Sequence, residues 1–156
     1  MRRAGRGGAR RASGFSLVEM LVVVALVAAV GVLSVGVLGG GMDRIRLNSA
    51  AKEVAGQLRF ARAQAIATGT PQRFLIDPRT RAWQGARGRS GKLPDGIAIR
   101  FTGAREVQPS EDVGAIVFFG DGASTGGRIR LTLREAGWNV DVAWLTGEVA
   151  LHRVRE

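Results

Sequence analysis

The sequence predicts an α+β fold: a long N-terminal α-helix, with a transmembrane first half, packed on an antiparallel β-sheet or β-sandwich head. Three observations predict it. An uncharged run of 23 residues, Met20 to Met42, follows a basic leader carrying Arg2, Arg3, Arg6, Arg10 and Arg11. Apolar residues then recur at helical spacing as far as Ala65. From Pro71 onward the period of the pattern falls to two, the signature of strands.

The 156 residues allow one modest domain beside the apolar segment. The formal charge of +10 is unevenly spread. Five positive charges lie in the first 11 residues, and past Met42 the chain holds 18 Lys and Arg against 12 Asp and Glu. The second part is therefore a moderately basic domain. It has no cysteine, which excludes disulfides and thiolate metal sites. Aromatic content of 6% with no tyrosine argues against a broad stacking platform for bases.

The first element is the apolar run. A secretory signal would have an apolar stretch of about 7–15 residues followed by a small-x-small cleavage site. This run is longer and has no such exit, whereas about 20 apolar residues suffice to cross a bilayer. Arginines before the run, with only Asp43 directly after it, put the N-terminus in the cytoplasm and the rest of the chain outside. Gly31, Gly36 and Gly39-Gly40-Gly41 fit small-residue packing between membrane helices, or a segment able to loosen on leaving the bilayer. Glu19 is the one charge at the head of this segment. A carboxylate near hydrocarbon costs on the order of several kcal/mol, so it calls for a partner or a purpose.

The second element continues the first. Leu47, Ala51, Val54, Leu58, Ala61 and Ala65 recur at steps of three and four, with Arg44, Lys52, Arg59 and Arg62 mostly between them. This is an amphipathic helix with a narrow buried face, ending near Thr68-Gly69-Thr70-Pro71. Strands are expected at Arg73 to Ile76, at Ala82-Trp83 after a turn at Asp77-Pro78, at Gly96 to Phe101, at Ala115 to Phe119 and at Arg128 to Arg134. Gly120 to Gly127 reads as a hairpin loop. Trp138 to Leu145 and Glu148 to Val154 read as a closing hairpin around Thr146-Gly147.

Gly14-Phe15-Ser16-Leu17-Val18-Glu19 resembles the class III signal site of type IV pilins and type II secretion pseudopilins. Phe118-Phe119-Gly120-Asp121-Gly122, Gly126 to Leu131 and Val142 to Val149 with its Trp144-Leu145-Thr146-Gly147 resemble the GspH/FimT family of minor pseudopilins, and the resemblance covers nearly the whole chain. It implies a pilin-like fold and cleavage between Gly14 and Phe15 by a prepilin peptidase. That enzyme would also methylate Phe15, and Glu19 would be the assembly carboxylate. It further implies a structural role in the type II secretion pseudopilus, in the export of folded proteins across the outer membrane. The implied partners are other pseudopilins, major and minor, the inner-membrane assembly platform, and secreted cargo. The alternative within the family is a type IV pilus minor pilin, concerned with pilus assembly or DNA uptake.

Physical chemistry supports the N-terminal set independently. Cleavage removes five arginines and creates an amine at Phe15, four residues from Glu19 and on the same helical face. A neighbouring subunit's N-terminal ammonium is a natural partner for Glu19 when helices stagger in a bundle, and pairing within one chain competes with it. The expected organisation is a leader at 1–14 that is removed, a transmembrane helix at 15–42, its amphipathic continuation at 43–68 and a periplasmic β-rich domain at 69–156. The chain is then a single-pass inner-membrane protein.

No catalytic constellation emerges. His152 is the lone histidine, the glycine-rich stretch 120–127 lacks the Gly-Lys-Ser/Thr ending of a phosphate loop, and Glu111-Asp112 reads as a solvated pair. No enzyme activity, cofactor or metal is expected. Arg73, Arg79, Arg81, Arg87, Arg89 and Lys92, with Trp83 among them, form a basic stretch. Arg79, Arg81, Arg87, Arg89 and Lys92 are candidates for contact with an anion or DNA. The competing expectation is a solvated loop, or a face for neighbouring pseudopilins or anionic headgroups. Nucleic acid is not the expected partner.

Overall fold

The computed structural model describes residues 16–110 and 112–155, with the backbone only at 32–40 and 155. Among the described residues one long helix, α1 (Leu17–Thr68), is followed by eight strands. These are β1 (Gln72–Ile76), β2 (Ala82–Gln84), β3 (Ser90–Lys92), β4 (Ala98–Gly103), β5 (Gly114–Phe118), β6 (Gly127–Leu133), β7 (Ala136–Val142) and β8 (Val149–Arg155). The chain divides into two compact units, and the boundary falls inside the glycine triplet, at Gly39/Gly40.

In the first unit α1 carries a continuous apolar surface, with Leu17, Val18, Met20, Leu21 and Val24 all exposed. Among the described residues no helix is long and apolar enough to cross a membrane. The sequence run predicted to do so continues through 32–40, whose side chains lie outside the description.

The second unit builds its core from α1 and two sheets. The face predicted from period is the one buried: Leu47, Ala51, Val54, Leu58, Ala61 and Ala65 are all inaccessible, joined by Ala50 and Ala55. Alanines dominate that face, which lets the sheets approach the helix closely. Full burial of a leucine or phenylalanine contributes roughly 1.5–3 kcal/mol, so Leu47, Leu58, Phe74 and Phe118 outweigh the helical cost of Gly56 at roughly 1 kcal/mol. The helix stops at Gly69, with φ 65°.

Both sheets are four-stranded and antiparallel. One runs β3-β2-β1-β5 and the other β4-β6-β7-β8. The β6–β7–β8 meander follows directly from alternation, with Leu133 opposite Ala136 across one turn and Val142 opposite Val149 across the next. β5 is buried along its whole length, as its uninterrupted apolar run requires. Phe101 of β4 lies flat against Gly114 of β5, where a Cβ would overlap the ring. That contact closes the seam between the sheets.

Two expectations are corrected. Gly120 to Gly127 is not a hairpin loop between paired strands. β5 pairs with β1 in the first sheet, and β6 pairs with β4 and β7 in the second. The segment turns back on β5 only briefly, with the Thr125 N–H donating to Val117 O at 2.9 Å. It then crosses to the other sheet through Gly126 and Gly127 at φ 68° and 151°, a conformation that favours glycine. Trp144 and Leu145 do not extend the strand before them. β7 ends at Val142, and both residues lie in the loop to β8.

Candidate functional site

Gly14 and Phe15, the predicted cleavage and methylation positions, lie outside the described residues. Glu19 sits in the first turn of α1 and is exposed. Ser16 precedes the helix, and its Oγ accepts a hydrogen bond from the Val18 N–H at 3.3 Å. Ser16-Leu17-Val18-Glu19 thus has the spacing of a capping box, in which a serine hydroxyl and a glutamate three residues later serve the first free N–H groups of a helix. Glu19 also stands where the positive end of the helix dipole favours a carboxylate. Among the described residues it makes no ion pair. Its charge is therefore available to a group outside them.

The five basic candidates are not gathered into one cluster. Arg79, Arg81 and Lys92 stand at one end of the β2–β3 hairpin, since Ala82 pairs with Lys92. Arg87 and Arg89 stand at the other, beyond the Gln84–Ser90 pair. Three of the five already have partners. Arg79 meets Asp112 at 3.6 Å, and Arg81 meets Asp95 at 2.5 Å. The Arg89 guanidinium lies over the Phe60 ring of α1, 3.8 Å from its centre. Only Arg87 and Lys92 are without a side-chain partner among the described residues. Asp112 of the acidic pair is thus engaged with Arg79, and Glu111 lies outside the description.

The turn that carries Arg79 and Arg81 has its own polar core. Asp77 accepts hydrogen bonds from the backbone N–H of Arg79 at 2.8 Å and from the Thr80 hydroxyl at 2.8 Å. The Thr80 side-chain hydrogen bond, followed by the Arg79 and Thr80 backbone N–H groups, holds the Asp77 carboxyl below its ordinary value. Among the described residues no group of three His, Asp or Glu side chains converges as a metal site would require.

The loop between β7 and β8 escapes a reading by period, because Trp144 and Leu145 prolong the apolar run of the strand before them. Its backbone is firmly held. The Gly147 N–H donates to Ala143 O at 2.8 Å, and the Ser124 N–H donates to Trp144 O at 2.8 Å. Gly147, at φ 62°, sits where a Cβ would collide with Gly122 O and crowd the Arg62 side chain. Trp144 and Leu145 are nonetheless 69% and 66% exposed. A pinned backbone carrying two large apolar side chains in solvent is the arrangement of a contact surface.

Comparison with known proteins follows the same division of the chain. Residues 50–146 match the family profile of Type II transport protein GspH, and residues 9–39 match that of the prokaryotic N-terminal methylation motif. The chain is 60% identical over 140 residues to the type II secretion system protein H of Xanthomonas campestris pv. campestris, an alignment covering 90% of this chain and 83% of that protein. In structure it resembles the minor pseudopilin EpsH from the type 2 secretion system of Vibrio cholerae, with TM-score 0.53 and 16% identity over 70% of this chain and 97% of that one. It also resembles the type IV minor pilin FimU of Pseudomonas aeruginosa, with TM-score 0.54 and 17% identity over 70% and 90%. At these identities the structural likenesses speak for the fold, and the sequence matches speak for the family. The chain belongs to the GspH family of type II transport proteins.

Proposed function

We propose that the chain is a minor pseudopilin, a structural and non-enzymatic subunit of a type II secretion pseudopilus that helps export folded proteins across the outer membrane. The observation that carries this reading is the 60% identity to a type II secretion system protein H along 90% of the chain. The N-terminal methylation motif over 9–39 supports the same reading.

In this proposal a prepilin peptidase removes residues 1–14 and methylates the new N-terminus at Phe15. Residues 15–42 anchor the subunit in the inner membrane before assembly, residues 43–68 continue the helix, and residues 69–156 form the periplasmic head. The exposed apolar side chains from Leu17 to Val30 suit first lipid and then neighbouring helices in a filament. Glu19 then sets register, since a carboxylate in an apolar bundle is stable only beside a cation such as the neighbouring N-terminal ammonium. Its partners are other pseudopilins and the assembly platform of the inner membrane.

The test is the intact mass and N-terminal peptide of the membrane-purified protein, with and without a prepilin peptidase. A chain that begins at methylated Phe15 only when the peptidase is present supports the proposal. An uncut leader in the presence of active peptidase rejects it and leaves a plain membrane anchor.

A further inference from the structure

We infer that the β7–β8 loop and the last turns of α1 form the surface by which this head binds the acidic head of a different subunit in the same filament. The inference rests on the pseudopilin reading above and assigns the docking surface that reading leaves open.

The surface has an apolar part and a cationic part. Trp144 and Leu145 project from the pinned loop, and Ile66 of α1 and Phe119 are exposed at the same end of the unit. The turn carrying Phe119 is pressed onto that end, because Gly120 touches Gly69 and Gly122 touches Ile66. Beside them runs a groove of about 440 Å³ lined by Arg59, Arg62 and Ile66. Arg62 Nε donates to Gly122 O at 3.2 Å, and an Arg59 guanidinium nitrogen donates to Val149 O at 2.9 Å. A guanidinium has five N–H donors, so each arginine is fixed by one and keeps others to offer. Neither forms an ion pair among the described residues, although Glu148 also lines the groove. Held arginines beside an exposed tryptophan are the composition of a protein interface centre.

Charge selects the occupant. A second copy of this chain would bring another basic head, with 18 Lys and Arg against 12 Asp and Glu past Met42, against Arg59 and Arg62. An acidic partner with an apolar patch satisfies both parts at once. Position points to a head rather than to lipid. The chain enters the unit near Asp43, which pairs with Arg134 at 3.0 Å, and Ile66 lies about 35 Å further along the helix at 1.5 Å per residue. The surface is therefore at the end of the unit away from chain entry.

The experiment places benzoylphenylalanine at Leu145 in the full-length chain, in cells with the complete secretion apparatus, with a control probe at the exposed His152. The expected product joins the chain to a different, acidic subunit bearing its own N-terminal methylation motif. Trp144→Ala with Arg62→Gln should lower its yield at least about tenfold. Trp144→Ala alone should leave the melting temperature unchanged, because the side chain is exposed. Cross-linking to a second copy, a secreted protein or lipid, or a yield no higher than the His152 probe gives, overturns the inference. Methylation at Phe15 and recovery in assembled filament are read from the same cells. An assembled, methylated chain without the Leu145 product rejects the surface and spares the pseudopilin reading, whereas an unmethylated, unassembled chain rejects both.

Discussion

The indole Nε1 of Trp83 donates a hydrogen bond to Glu53 Oε1 at 2.9 Å, tying β2 to the exposed flank of α1. The ring itself is buried and stacked on Phe74, 6.1 Å between centres. Packing holds the ring, and the hydrogen bond fixes its rotation and the height of the hairpin on the helix.

Replacing either partner should therefore remove the same coupled contribution, with Trp83→Phe costing more because it also shrinks a buried ring. Glu53→Ala leaves the buried indole N–H without its acceptor, and Trp83→Phe removes the donor along with part of the ring. A hydrogen bond of this kind contributes about 1 kcal/mol, more when the acceptor is charged. That corresponds to a fall of about 4 °C in the melting temperature for a domain of this size. In a double-mutant cycle by chemical denaturation, the Glu53→Ala penalty should largely vanish in the Trp83→Phe background. Strict additivity would mean that the contact carries no energy of its own.

Asp77 gives the head a pH signature. Its carboxyl is held below the ordinary value of 3.8, chiefly by the Thr80 hydroxyl and then by the backbone N–H groups of Arg79 and Thr80. A carboxylate whose pKa is depressed by folding contributes stability that is fully present above its unfolded value. That contribution is lost as pH falls through the folded value. Asp77→Asn should lower the denaturation midpoint at pH 7 and have progressively less effect below about pH 4. A penalty that stays constant from pH 7 to pH 2 would show that the turn depends on shape rather than on charge.

What the sequence discloses depends on the range of the interaction. The buried face of α1 is legible because Leu47, Val54 and Leu58 meet the core through a period set by the helix itself. The β6 strand is legible because Ile129 and Leu131 alternate with Arg128 and Arg130. Which sheet a strand joins is not written in alternation, so the crossing at Gly126-Gly127 was hidden. The same limit applies to the candidate sites. Glu19 stands out as a single charge in an apolar run. The basic stretch looks like one cluster until Asp95 and Asp112, distant in sequence, are seen to claim Arg81 and Arg79. Trp144 and Leu145 continue the strand's apolar run, and only the hydrogen bonds to Ser124 and across the loop reveal that the backbone has already turned away.

Glu19 has two chemical roles available, and one substitution separates them. As the third helical residue after Ser16 it suits a capping box, a role that glutamine fills equally well. As a partner for a neighbouring ammonium it must be charged. Both Glu19→Gln and Glu19→Leu should leave trimming after Gly14 unchanged, because neither alters the bond that is cut. If charge sets register, both should lower incorporation into filament by at least about tenfold, the equivalent of losing about 1.4 kcal/mol. Quantitative immunoblotting of sheared filament against the membrane fraction measures this directly. Incorporation of Glu19→Gln at the wild-type level, with Glu19→Leu deficient, would make helix capping the function of the residue and remove the ion pair from the assembly step.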